Sequence, residues 1–191
     1  MIFQCLVILK SPLLRNQLLM ELCCIIISNC FAFKPRLDLD ACLYLPRLLE
    51  SVFVEIALPN IIIGVIYRHL FMSLKSFNSK YLKPFLHQLS SENKQLILLG
   101  DFNVSLLKVQ DDPESSTFLD ALGSNLLLPQ ILLPTWIAGD PHTLIDNIFS
   151  NASNSNITGN ICFSISDHLP QFCIFDSQIK SKGRDVVYKQ D

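Results

Sequence analysis

The stretch Leu96–Asn103, LILLGDFN, decides how the chain is read. Four apolar residues in succession describe a strand buried on both faces. Gly100 ends the run, and Asp101, Phe102 and Asn103 follow at once. A buried strand that delivers an acid and an amide at its C-terminal end is where open α/β sheets place their chemistry. The same residues suit an ordinary strand-to-loop turn, because Asp, Asn and Gly tolerate tight backbone conformations. The rest of the chain has to separate the two.

N-terminal to this stretch, SVFVEIA (51–57) alternates and IIIGVIY (61–67) is a more buried run. Pro59-Asn60 between them predicts an antiparallel hairpin. Leu74, Phe77, Tyr81, Phe85 and Leu89 recur at helical spacing, which predicts a helix over 74–92 capped by Ser73 and kinked or split at Pro84. C-terminal to it, a second helix is expected over 114–125, then a loop or short strand over 126–134. TLIDNIFS (143–150) reads as a strand with an acid in its middle, and 151–160 as a polar loop. Two further strands, 161–165 and 172–175, are joined through Ser166-Asp167-His168-Leu169-Pro170.

The 191 residues suggest one domain, and with half of them hydrophobic and 17% charged the chain can build a large core. A formal charge of −2 carries no basic excess that would advertise nucleic acid, although a local basic face fits within a near-neutral total. The seven cysteines are odd in number and form no Cys-x-x-Cys, which favours a reduced, intracellular protein. Residues 1–33 are strongly apolar, yet the block 18–33 contains Glu21 and is shorter than the ~20 residues a bilayer crossing needs. It reads as core-seeking sequence or as a remnant of something once longer, and no stable membrane association is expected.

Three places hold reactive groups: Asp101 with Asn103, then Asp146, then Asp167 with His168. Asp146 lies among Leu144, Ile145, Ile148 and Phe149, an unfavourable place for a carboxylate without a partner. His168, after a comparable strand, is the candidate. A carboxylate bonded to imidazole orients the ring and favours its protonated form. Singly, each group could be a turn residue or a strand acid facing water. Together, in order and after matching strands, they argue for a site.

GDFN (100–103), TLIDNIF (143–149) and SDH (166–168) resemble the signature set of the endonuclease/exonuclease/phosphatase superfamily, whose fold is that of DNase I. ESVFVEI (50–56), IIIGVIYR (61–68), Pro134-Thr135-Trp136 and ISDHLP (165–170) are similar to the endonuclease domains of non-LTR, LINE-type retrotransposons. The resemblance spans about 33–176. It implies a DNase I-like α/β sandwich of two mostly antiparallel sheets with helices outside. Residues 34–176 would be its C-terminal part, 1–33 a divergent apolar segment and 177–191 a polar tail.

The resemblance also implies roles. Asp101 would position or deprotonate the attacking water, and Asn103 would hold it or a phosphate oxygen. His168, steadied by Asp146, would contact the scissile phosphate, and Asp167 would help hold a divalent metal. Tyr67 would hydrogen-bond the phosphate, Arg68 would reach the DNA backbone, and Trp136 would lie on the DNA-facing rim. Here His69 stands where the family has proline. Mg²⁺ (or Mn²⁺) suits a site of carboxylates and water, and DNA is the implied partner. Family members begin with a strand ending in Asn and another ending in a metal-binding Glu. Only about 50 residues precede ESVFVEI, so the expectation is an N-terminally truncated domain, with Glu50 and Glu55 as weak substitutes for the missing acid. A non-catalytic remnant or nucleic-acid-binding fragment is the alternative, and a phosphatase of the same superfamily a third reading.

Overall fold

The run Ile61–Arg68 is buried at every residue. Its β-branched side chains serve both faces, so enclosure on two sides strands no polar group until Tyr67 and Arg68 at the end. The computed structural model describes residues 23–27, 31–58, 60–138, 140–152, 157–162 and 166–174. The strands are β1 (Phe33–Pro35), β2 (Leu49–Ile56), β3 (Ile61–Arg68), β4 (Gln95–Asp101), β5 (Leu128–Pro129), β6 (Asp146–Ser150), β7 (Ile157–Asn160) and β8 (Gln171–Ile174). Six form one sheet in the order β1-β2-β3-β4-β6-β5, and β7 pairs with β8 in a second. All pairs are antiparallel except β3–β4.

The hairpin is as expected, with Ile56 opposite Ile61. Parallel β3 and β4 need a crossover, and a helical segment supplies it. It runs as α1 (Leu74–Ser76), a π-helical stretch (Phe77–Leu82) and α2 (Lys83–Ser90). Ser73 Oγ accepts the Ser76 N–H at 3.4 Å as its cap. The split expected at Pro84 takes the form of π turns just before it, where Lys83 N–H donates to Asn78 O, five residues back. Proline cannot donate to an i−4 carbonyl, and the widened ladder ends where that donor is lost.

The two faces of the large sheet carry separate cores. Phe53, Ile62, Ile66, Leu96, Leu98 and Phe149 pack under the helices, against Phe77, Phe85, Phe118 and Leu122 among others. The helix that brings Phe118 and Leu122 is Pro113–Gly123, capped by Asp112. The other face buries Val54, Ile56, Ile61, Ile63, Ile97 and Ile148. Ile25, Ile27 and Phe31 pack on it, as does Cys173 of β8. Residues 1–22 and 28–30 of the apolar N-terminal segment lie outside the described residues. Among the described residues no helix is long and apolar enough to cross a membrane.

One strand differs from expectation. Pairing with β8 falls on 157–160, inside the stretch read as a polar loop, and Ile161 and Cys162 lie beyond it. Thr158 Oγ1 donates to Gln130 O at 2.8 Å and Asn160 Nδ2 to Pro134 O at 2.9 Å, so tertiary partners place the strand where local propensity does not. Residues 163–165 and Phe175 lie outside the described residues.

At the end of the sheet away from Asp101, Glu55 meets Lys94 at 2.7 Å, Arg36 at 3.0 Å and Lys34 at 3.3 Å. Arg36 and Lys94 also hold Glu92, at 2.5 and 2.9 Å. Hydrogen bonds from Arg36 pull the Glu92 carboxyl from 4.5 down to about 2. A carboxyl depressed by folding adds stability above its unfolded pKa and loses it as pH falls toward the folded value. Urea midpoints should therefore fall between pH 4.5 and about 2, and less steeply in Glu92→Gln than in wild type. Equal slopes would show that this network contributes nothing.

Candidate active site at the strand ends

The site is one register row of the large sheet. Glu50 is opposite Tyr67, Tyr67 is beside Asp101, and Asp101 is opposite Asp146. Alternation puts the four side chains on the face that buries Val54, Ile63, Ile97 and Ile148. The row crosses β2, β3, β4 and β6 at the end where β4 gives way to the loop after Asp101.

Gly100 makes this end possible. Its φ is +145°, and a Cβ there would sit 1.9 Å from Ile66 O. Immediately after it, the buried Asp101 accepts the Asn103 N–H through Oδ1 at 3.0 Å. That bond is an Asx turn, and it lets Asn103 adopt φ +51°. Asn103 Nδ2 donates to Arg68 O at 2.7 Å. Bonds from Phe102 N to Ile145 O (3.1 Å) and Leu106 N to Leu144 O (3.0 Å) hold the loop against the entry to β6.

Asp146 opens β6 instead of lying mid-strand. It is buried, and His168 Nδ1 lies 2.8 Å from its Oδ2. The predicted pair therefore forms. The His168 N–H donates to Ser166 Oγ at 3.1 Å, a local turn that sets the ring's approach. Asp101, Asp146 and His168 offer ligand atoms that all lie within 4.8 Å of one another. Two carboxylates and an imidazole at that spacing form a donor set fit for a divalent cation.

Other expected residues are placed differently. Arg68 is buried and turned inward: Nε donates to Phe102 O at 2.7 Å, Nη2 to Asn103 O at 2.8 Å, and Nη1 to Met72 O. The guanidinium expected to reach a DNA backbone instead ties together the two loops beside the site. Asp167, the expected cation ligand, is exposed and outside the Asp101–Asp146–His168 cluster, and its Oδ2 accepts the Trp136 Nε1–H at 3.1 Å. Trp136 is half-buried, bridged on one side to Thr143 and on the other to His168. Tyr67 is buried, and enclosure with Asp101 and Glu50 nearby pushes its phenol up to about 12. The phenol thus stays protonated and can donate. Glu55 lies in the ion cluster at the far end of β2.

No family model matches the chain, and no curated protein matches it. Solved structures do. The endonuclease domain of TRAS1, a telomere-specific non-LTR retrotransposon, aligns over 81% of this chain and 73% of its own, with a TM-score of 0.56 and 15% identity. A 3′ phosphatase, NExo from Neisseria bound to a product DNA hairpin, aligns over 65% of this chain and 63% of its own, with a TM-score of 0.50 and 14% identity. The chain has the endonuclease/exonuclease/phosphatase fold. It spans under two thirds of the second structure.

Within this endonuclease/exonuclease/phosphatase fold, two residues without an assigned role, Thr135 and Asn147, hold the site together. Thr135 is fully buried, and its Oγ1 accepts from Asp146 N at 3.1 Å and Ile145 N at 3.2 Å. Its carbonyl accepts from Leu169 N at 2.7 Å, so one residue fixes both the Asp146 strand and the His168 loop. Asn147 Oδ1 accepts from Gln130 N and Ile131 N, both at 3.2 Å, fastening the segment that leads to Trp136. Glu50 completes the register row. A two-residue period counted back from the hairpin turn carries that placement in the sequence.

Proposed function

We propose that the chain is a divalent-metal-dependent DNA endonuclease of the retrotransposon type, hydrolysing a phosphodiester bond at Asp101, Asp146 and His168. The observation that carries this reading is the convergence of these three side chains at the strand ends, with their ligand atoms within 4.8 Å. The TRAS1 endonuclease domain supports DNA as the substrate.

In this reading Asp101 accepts the proton of the attacking water. Asn103 has its amide nitrogen on Arg68 O and keeps Oδ1 to orient that water. His168, with Nδ1 on Asp146, donates through Nε2 to a non-bridging oxygen as negative charge develops. The neutral Tyr67 phenol donates to the same phosphate. Mg²⁺ or Mn²⁺, held by the carboxylates, would neutralise charge on the phosphate oxygens when bound. The cation role that the resemblance gives Asp167 requires its carboxylate to leave the Trp136 indole.

Nicking of supercoiled plasmid tests the reading. Wild type with Mg²⁺ should nick, EDTA should abolish nicking, and Asp101→Ala and His168→Ala should each lose at least about 10²-fold. Equal nicking by all three proteins would reject the assignment.

A further inference from the structure

We propose that His69 and Phe71 form a stacking platform for an unstacked nucleobase beside the scissile phosphodiester, so that the site selects strands whose bases can leave the helix. The proposal rests on the endonuclease reading and names the feature of the DNA that reading would select.

The platform is a turn. Met72 N–H donates to His69 O at 2.9 Å, so Leu70 and Phe71 occupy the two central positions. Those positions ordinarily carry Pro, Asn, Asp or Gly. Here they carry two large apolar residues, 62% and 81% exposed, and Phe71 is the most exposed large hydrophobic side chain among the described residues. Packing among the described residues does not account for them.

The turn is held firmly at both ends. His69 N–H donates to Leu48 O at 2.8 Å, and Met72 is buried while its carbonyl takes a bond from Arg68. The same guanidinium holds the carbonyls of Phe102 and Asn103, so the turn and the Asp101 loop share one clamp. Phe71 N–H donates to His69 Nδ1 at 3.2 Å, a bond that requires the imidazole in place. The rings make a continuous series from the site outward. Tyr67 meets His69 edge-on at 6.2 Å between centroids, and His69 meets Phe71 at 4.9 Å. Tyr67 itself lies beside Asp101 in the sheet. This also accounts for His69, where the chain departs from the proline of its resemblance, since a proline has neither an aromatic ring nor a side-chain acceptor for this arrangement.

An aromatic face presented rigidly one ring away from a phosphodiester site suits a nucleobase, because every base has a face to stack and the contact tolerates any sequence. Apolar side chains at such positions also hold duplexes open by replacing base stacking. The occupant of the platform is therefore a base of the substrate strand itself.

The test reads stacking separately from catalysis. DNA carrying 2-aminopurine in a bulge is titrated with protein in EDTA, and its fluorescence and affinity are followed. Wild type should quench the probe and prefer the bulge to intact duplex. Phe71→Ala should lose the quench and about tenfold in affinity, and Phe71→Trp should keep both. The exposed position of Phe71 means that the variants should melt with wild type. Unchanged quench and affinity in Phe71→Ala would overturn the platform even if the protein nicks DNA. Weaker binding of Phe71→Ala to phosphatidylserine vesicles, with DNA binding unaltered, would overturn it in favour of a lipid surface. Quenching by wild type without any nicking would reject the endonuclease reading and leave the platform standing.

Discussion

Asp146→Asn should lower plasmid nicking by about 10³-fold while leaving the melting temperature close to that of wild type. The substitution conserves shape, and the backbone bond from Asp146 N to Thr135 Oγ1 does not depend on the side chain. What it removes is the negative charge 2.8 Å from His168 Nδ1. A carboxylate fixes the tautomer with hydrogen on Nδ1 and stabilises the imidazolium, whereas an amide can present either its oxygen or its nitrogen. In this buried position the charge is poorly screened, so the change acts strongly on the ring. A second measurement separates this role from simple damage. Since Asp146 acts on the phosphate through His168, the double variant Asp146→Asn/His168→Ala should be no slower than His168→Ala alone at saturating Mg²⁺, where its share in holding the cation is compensated. Additive losses would mean that Asp146 works by another route, and full activity in Asp146→Asn would remove the pair from the mechanism.

How far the site could be read from sequence depends on whether each contact is local. The strand ending at Asp101, the hairpin before it and the Asp146–His168 pair follow from apolar runs, a turn signal and the need of a buried acid for a partner. Arg68 was also legible in principle. It shares the alternation of Ile62 and Ile66, which face the helices, so its side chain had to go inward while Tyr67 went to the other face. The resemblance pointed the other way, and the geometry of the strand prevailed. The register that sets Asp101 opposite Asp146 was not legible, because those strands are joined through a helix, a short strand and a long loop, and no local signal counts across them. Asp167 and Thr135 belong to the same class. Their directions depend on the bridge between Trp136 and His168 and on bonds to backbone groups brought from elsewhere. The displacement of one strand to Ile157–Asn160 has the same origin, in partners at Gln130 and Pro134.

The opening stretch carries the second large effect. Gly100→Ala should cost about 3 kcal/mol or more of stability, a large share of what a domain of this size has. Two terms add. The backbone at φ +145° lies in a region that side-chain-bearing residues rarely adopt, and the new Cβ would lie 1.9 Å from Ile66 O. That neighbour is main chain in β3, Gly100 is its register partner, and Gly100 also faces Asn147 on the other side. Relief therefore requires moving β3 or β4 and breaking ladder bonds in the most buried part of the sheet. Gly123 is the internal comparison. It ends the helix Pro113–Gly123, a Cβ there would meet nothing within 4 Å, and Gly123→Ala should change stability by less than about 1 kcal/mol. Urea denaturation of the three proteins, followed by circular dichroism, decides the matter. A Gly100→Ala midpoint equal to that of wild type would mean that the strand ending at Asp101 is not built this way. If the variant folds at all, it should also nick more weakly, because the residue displaced is the one that carries Asp101 into the site.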